Sequence, residues 1–563
     1  MIVRLVLSAV LALTGTTGVA ALAVDTPSAA AAPQGVAVVP SDGIVGPDGT
    51  VLGAADETAT DEAQGSADVT VTTVDVVLPA VDPSGDVVQT PELAEALAEL
   101  DALAAGEALT GDRVASEVLE TDGFQTLGVT WPADAPADGL DPQVRTRAAD
   151  GTWSAWQGLA VADDAPDAGT ADATSAVRGG TDPLWVGEAD AVQVSFAAGA
   201  ASGPDDLGLT LVDAPVEPTS TASGALATGE ATTAPAVQLT STSVASAVSA
   251  PRVISRAEWG ARPQVCTPDV ATRLVGAVVH HTAGTNAYSS VAQAEQQIRG
   301  DQAYHIDGRG WCDIGYNFIV DKWGNIYEGR ANSLGQAVIG VHAGGFNTGT
   351  VGVSMLGTYD AAPSSATVQS VGQIIGWRLG AYGVAPQATM AYTTGAGQNS
   401  RFQNETVVLP RVMGHRDVAY TACPGNGGYA VLPAIRSIAA GIASQVAYVD
   451  SVARTKALYQ DMLGRAPDSA GLAYWAARSA TGGGPGLVAT SLSTSVEYVQ
   501  TRVREAYREI LGRDPEPGGL ASWTAEISSG HLRQEDLRGQ LIASDEYFDD
   551  AGGTSTAYVA QLY

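Results

Sequence analysis

A chain of 563 residues is long enough for three or four domains. Its 62 acidic and 28 basic residues leave a formal net charge of −34 with no Lys/Arg cluster, a balance that repels phosphate backbones and argues against nucleic acid as a partner. All three cysteines and five of the six histidines lie between Cys266 and Cys423, so metal or nucleophile chemistry is expected in that segment.

In chain order, residues 1–32 read as a secretory signal peptide, with Arg4 as a positive n-region, residues 5–13 as an apolar h-region and small residues at 29–32 for cleavage. Thr14, Thr16 and Thr17 break the apolar run, and no later segment is expected to span a bilayer. The mature protein is therefore expected to be secreted, without a transmembrane segment. Residues 33–66, rich in Gly, Ala, Asp and Thr, read as linker or disordered chain.

Residues 67–214 read as an all-β accessory domain, a β-sandwich. Gln143-Val-Arg-Thr-Arg alternates, Asp150-Gly151 marks a turn, and Leu207-Gly-Leu-Thr-Leu-Val is a further strand. Residues 92–105 are either a helix or an inserted acidic loop. Trp153, Trp156 and Trp185 could form a carbohydrate-stacking platform, but packing at the core and edge of the sandwich is the expected role. Residues 215–250, a Thr/Ser/Ala/Pro tract without aromatics, read as an interdomain linker.

A central domain is expected over 251–447 and a helical domain of two repeats over 448–563. In the latter, Leu463-Gly-Arg-Ala-Pro-Asp468 returns as Leu511-Gly-Arg-Asp-Pro-Glu516, and Ser495-Val-Glu-Tyr498 as Ser544-Asp-Glu-Tyr547. Such units stack by burying their apolar faces together. The pattern resembles a repeat domain of unknown function found in bacterial exported proteins. Asp468 and Asp514 are expected to be turn and cap acids.

Within the central domain, Leu274-Val-Gly-Ala-Val-Val279 reads as a strand buried on both faces, and it runs into His280-His281. Side chains alternate along a strand, so only one of the two histidines can face a given site. Downstream, Leu409-Pro-Arg-Val-Met-Gly-His415 approaches a further histidine, followed by Cys423 at His-x7-Cys spacing. One histidine from the first strand, His415 and Cys423 would supply three zinc ligands and leave the fourth position open, as in catalytic sites. A disulfide is the rival role for Cys423, because export permits one. Cys266 and Cys312 lie in loop-like polar contexts and are expected to pair with each other, leaving Cys423 for metal.

Five ordered blocks then carry a resemblance. Val278-Val-His-His-Thr-Ala-Gly284, Trp311-Cys-Asp-Ile-Gly-Tyr-Asn-Phe-Ile-Val-Asp321, Tyr327-Glu-Gly-Arg330, Gly340-Val-His-Ala-Gly-Gly-Phe-Asn347, and Gly414-His-Arg-Asp417 with Thr421-Ala-Cys-Pro-Gly425 resemble the zinc-dependent N-acetylmuramoyl-L-alanine amidase family. That family includes phage-type amidases and animal peptidoglycan recognition proteins. The resemblance covers residues 252–447, about a third of the chain. It implies an α/β domain with a mixed sheet flanked by helices. It also implies hydrolysis, through a zinc-activated water, of the amide bond between N-acetylmuramic acid and L-alanine of the peptidoglycan stem peptide. Carried over by position, the Zn2+ ligands are His280, His415 and Cys423. Tyr316 matches the catalytic tyrosine, a donor to the oxyanion. Thr421 stands where some phage-type members carry lysine and recognition-protein amidases carry threonine; it is expected to orient water or the intermediate. His281, His305, His342 and Asn347 are candidates to line the glycan–peptide groove. Tyr316, a relayed water and Glu328 are the candidates for protonating the leaving amine, although Glu328 is expected to be a structural acid of a hairpin. Asp417 is expected to be a turn residue. Members that bind peptidoglycan without cutting it lack the metal cysteine, whereas Cys423 and Tyr316 are both present here. The two flanking modules resemble companions of such amidases in exported actinobacterial proteins and are candidates for attachment to the cell envelope.

Overall fold

The structure, a computed structural model, describes residues 69–76, 113–116, 118–135, 139–162, 164–174, 177–197, 206–216, 250–397 and 399–562, together with the backbone of 44–45 and 51–52. The expected signal peptide, the 92–105 segment and the linker core at 217–249 lie outside the described residues. Ile44–Val45 and Val51–Leu52 pair antiparallel within a unit of their own, residues 1–58.

The N-terminal domain is β-rich, as expected, and all of its described strand pairings are antiparallel. Eight strands join in one hydrogen-bonded network. The two longest, Leu119–Pro132 and Leu184–Ala197, pair with each other through register shifts after Glu120 and Phe124. Such bulges bend a strand and raise its twist. Leu127, Val129 and Trp131 of one strand and Leu207, Leu209 and Leu211 of another face a common core with Val192, Val194 and Phe196. Trp153 and Trp156 are half-buried beneath the Arg145 guanidinium, 4.7 and 5.2 Å from its Cζ, so stacking on the sheet edge already occupies them.

The central domain is built on a six-stranded mixed sheet in the order Val253–Ile254, Ile326–Glu328, Phe318–Val320, Thr350–Met355, Gly276–His281, Val412–Gly414. Only the Phe318–Val320/Ile326–Glu328 pair is antiparallel. Gly276–His281 sits between two parallel neighbours, and all but its last residue are buried, which is why it reads as a continuous apolar run. The odd face of the sheet (Val279, Val353, Val351) packs on Val371, Ile374, Ile375 and Leu379 of the helix Ser365–Ala381 and on Leu432, Ile435 and Ala439 of Leu432–Leu463. Ile319 lies on the other face, with Ala294 and Ile298 of the helix Val291–Ala303.

Leu432–Leu463 runs for 32 residues through the expected boundary at 447/448, so the central and C-terminal parts share one helix. By length and mean hydropathy alone it is long and apolar enough to cross a membrane. One face of it belongs to the protein core, and its Arg436 donates to the carbonyl of Val412 on the edge strand.

The C-terminal repeats coincide in structure. Gly464 and Gly512 both end a helix at positive φ. Ser495 and Ser544 both cap the next helix, accepting from the amides of Tyr498 and Tyr547. Arg465 grips Glu497 as Arg513 grips Glu546. Asp468 is an N-cap, accepting from the amide of Gly471, and Asp514 accepts from Arg508.

Candidate metal centre

The sheet register brings the ligands together. Val279 lies opposite Gly414 on the neighbouring parallel strand, so the residues that follow each, His280 and His415, leave the sheet side by side. Their ring centroids are 4.4 Å apart. After His415 the chain makes a 3-10 turn, His415–Asp417, and loops back. Three contacts hold the returning segment: the amide of Arg416 donates to the carbonyl of Cys423 (3.0 Å), the Arg416 guanidinium donates to that of Ala422, and the amide of Cys423 donates to Thr421 Oγ1 (3.1 Å). Cys423 Sγ thereby comes to 3.8 Å from His280 Nδ1 and accepts from the backbone N–H of His281 at 3.3 Å.

One ligand atom each from His280, His415 and Cys423 lies within 4.8 Å of the others, and all three residues are buried. Burial disfavours the charged imidazolium. It pushes His280 well below its ordinary pKa, with the charges of His415 and His342 adding, and pushes His415 down to about 3. Neutral imidazoles and a sulfur that accepts a backbone N–H form the donor set that a tetrahedral zinc site takes. The residues therefore fit the ion.

Cys266 and Cys312 form a disulfide, and Cys423 stands outside it.

Tyr316 lies beside the cluster, its ring centroid 5.4 Å from that of His280, and is 4 % exposed. Burial, reinforced by the charges of Asp164, Asp182, Cys423 and Asp301, raises its pKa well above the ordinary value, so the hydroxyl keeps its proton and can donate it in a hydrogen bond. Thr421 is occupied in shaping the Cys423 turn.

The groove candidates His305, His342 and Asn347 all have partners within the protein. His342 is fully buried, its Nδ1 3.1 Å from His280 Nε2, so it holds the back of a ligand ring rather than lining a groove. It fits there because Gly352 has no side chain: a Cβ at that position would lie 2.4 Å from the His342 ring. His305 stacks on Trp311 and accepts from the amide of Gly315. Asn347 is buried, its carboxamide oxygen accepting from the amides of His342 and Ala343. The physical reason is shared: each group finds its hydrogen-bond partners inside the protein. His281 points to the opposite side of its strand from His280 and is half-buried. Glu328 accepts from the amide of Leu334 and Asp417 from that of Gly414, both structural contacts.

A metal-ligating histidine is oriented by the partner of its other nitrogen, and loss of such a partner typically costs 10–100-fold in metal affinity. His342→Ala should therefore weaken zinc binding by about 10–100-fold in a competition titration, with the fold intact. Unchanged affinity would mean that His280 is held by its strand alone.

Residues outside the sequence candidates also reach the site. Asp164 of the β-rich domain places Oδ1 3.7 Å from His415 Nε2, and both side chains are buried. Asp167 accepts from the amide of Gly345, the carboxamide of Asn347, and the amide and hydroxyl of Thr348. Asp172 forms a buried two-pronged ion pair with Arg330. These acids stand in an acid-rich stretch with no motif around it, so nothing local distinguishes them.

Comparison with known proteins adds an independent line. Residues 271–426 match the N-acetylmuramoyl-L-alanine amidase family model, and residues 54–249 match a model described as Rv3811 N-terminal galactose-binding domain-like. The chain is 37 % identical over 183 residues to peptidoglycan-recognition protein SC2 of Drosophila simulans, spanning 32 % of this chain and 85 % of that one. It is 30 % identical over 182 residues to peptidoglycan recognition protein 1 of Bos taurus, spanning 32 % and 82 %. Among solved structures it is similar to wild-type Drosophila PGRP-LB, with 28 % identity, 32 % of this chain and 91 % of that one covered, and a TM-score of 0.26.

Proposed function

We propose, for a chain that belongs to the N-acetylmuramoyl-L-alanine amidase and peptidoglycan-recognition protein family, that it is a zinc-dependent peptidoglycan hydrolase cutting the bond between N-acetylmuramic acid and L-alanine. The observation that carries this reading is the convergence of His280, His415 and Cys423 beside a protonated, buried Tyr316. A binding-only member would need neither the thiol nor the tyrosine at these positions.

Zinc held there would supply Lewis acidity toward the lactyl carbonyl and a lowered pKa for water. The chain's own residues do the rest. His342 orients His280, and the His281 amide favours the thiolate form of Cys423. Tyr316 keeps its proton and donates a hydrogen bond to the oxygen on which negative charge develops. Thr421 holds the turn that presents Cys423. The apolar surroundings strengthen each of these interactions.

We place the protein outside the cell, acting on peptidoglycan. The Cys266–Cys312 disulfide supports that, since such bonds persist in oxidising compartments. The working division is an accessory β-domain at 67–214, the amidase domain at 251–447 and the helical repeats at 448–563, with Leu432–Leu463 common to the last two.

The test is release of free stem peptide from purified peptidoglycan by the zinc-loaded full chain. Release should stop with a chelator and return with zinc. Tyr316→Phe should keep its zinc and lose about 10²–10³ in kcat, the usual cost of one oxyanion donor. Binding of peptidoglycan without release, by a zinc-loaded and folded chain, would point to a recognition protein instead.

A further inference from the structure

The candidate metal centre is buried, and a different domain contributes to its cover. His280, His415, Cys423 and Tyr316 are each at most 7 % exposed. The cover is residues 164–167 of the β-rich domain. Asp164 sets its carboxylate beside His415. The Ala165 carbonyl and Asp167 accept from both hydrogens of the Asn347 carboxamide, and Asp167 also accepts from Gly345 and from the amide and hydroxyl of Thr348. The block Gly340–Asn347, which holds the groove candidates His342 and Asn347, is therefore contacted by the chain's own acids.

The same segment has a fixed end. Asp172 is anchored by Arg330 and by the amide of Cys312, deep in the central domain. Between latch and anchor the chain needs only to swing. Asp167 is half-buried, and its partners are groups that water or a polar substrate can also satisfy. Asp172 is buried against a guanidinium, which water cannot replace cheaply.

We propose that residues 164–167 form an autoinhibitory cap, latched by Asp167 and hinged at Asp172, so that the β-rich domain keeps the metal centre latent until the latch is released. The consequence for peptidoglycan rests on the hydrolase reading above; closure of the site does not.

Two readouts on the full chain separate the two. The first is alkylation of Cys423, the cysteine outside the disulfide, by iodoacetamide in metal-stripped protein. Asp167→Ala should raise that rate at least about tenfold over wild type; the isosteric Asp167→Asn, which keeps the shape and loses the charge, should raise it less. The second is stem-peptide release by the zinc-loaded proteins, which should rise several-fold in the same order. An unchanged alkylation rate in both variants would overturn the cap. So would faster alkylation with slower peptide release at equal zinc content, because the segment would then be a wall of the working groove. Faster alkylation with no release from either protein would leave the cap standing and remove the hydrolase reading.

Discussion

Cys423→Ala should lose its zinc and fall to background in stem-peptide release while remaining folded. Zinc in four-ligand protein sites is held by roughly 10–16 kcal/mol, so one ligand carries about 3–4 kcal/mol, a factor on the order of 10²–10³ in affinity. With three protein ligands to begin with, the loss leaves two neutral imidazoles and no thiolate to balance the ion's charge. Cys423 is outside the disulfide, and its loop is tied down by the backbone carbonyls of Cys423 and Ala422 and by Thr421, none of which the substitution removes. The check is zinc content by elemental analysis beside thermal unfolding and peptide release. A variant that keeps one zinc per chain and still cuts would show that Cys423 is not a ligand. The effect should exceed that of His342→Ala, which removes a support and leaves all three ligands.

The second large effect belongs to the domain interface. Asp172→Ala should destabilise the full chain by about 3–5 kcal/mol, the usual cost of stripping one partner from a buried ion pair. Arg330 is fully buried, and its other acceptors are backbone carbonyls of Ile314, Ile339 and Asp313. The mutation leaves that guanidinium without a counter-charge and also leaves the amide of Cys312 without its acceptor. Replacing both members with apolar residues of similar volume, Asp172→Leu with Arg330→Met, should recover much of the loss, because the uncompensated charge rather than the missing attraction dominates. Urea unfolding of the three proteins decides it; a single variant within about 1 kcal/mol of wild type would mean that water reaches Arg330.

The two effects differ in how far the sequence announced them. The candidate ligands were legible because His280 ends a strand whose apolar run is continuous, His415 directly follows a second strand, and a short segment joins His415 to Cys423. Local chain geometry is enough to put such residues near one another. The register that sets His280 against His415 was not legible, but the alternation along a strand already reduced the choice to His280 or His281. The repeats were equally plain, since the same capping serine and the same Leu-Gly-Arg turn recur in both.

The groove candidates show the limit. An imidazole or a carboxamide has the same letter whether it meets a substrate or a neighbour. His342, His305 and Asn347 went to neighbours because the fold supplied donors and acceptors at the right distance. In the strand Leu119–Pro132, Thr126, Gly128 and Thr130 alternate with core residues, and all three are buried. Tyr304 of the central domain fills the space over Gly128, where a Cβ would lie 2.4 Å from its ring, and donates to the carbonyl of Thr181.

Sequence alone determined the main strands of the central domain, the repeats and the residue types suited to a metal, because periodicity, turn chemistry and residue chemistry are local. Tertiary structure alone decided that the β-rich domain lies on the amidase domain and that Asp164, Asp167 and Asp172 reach its centre. Those contacts join residues more than a hundred positions apart through small and acidic side chains. Small and acidic residues carry no periodic signal of burial, so only the packed fold distinguishes them from a solvated surface.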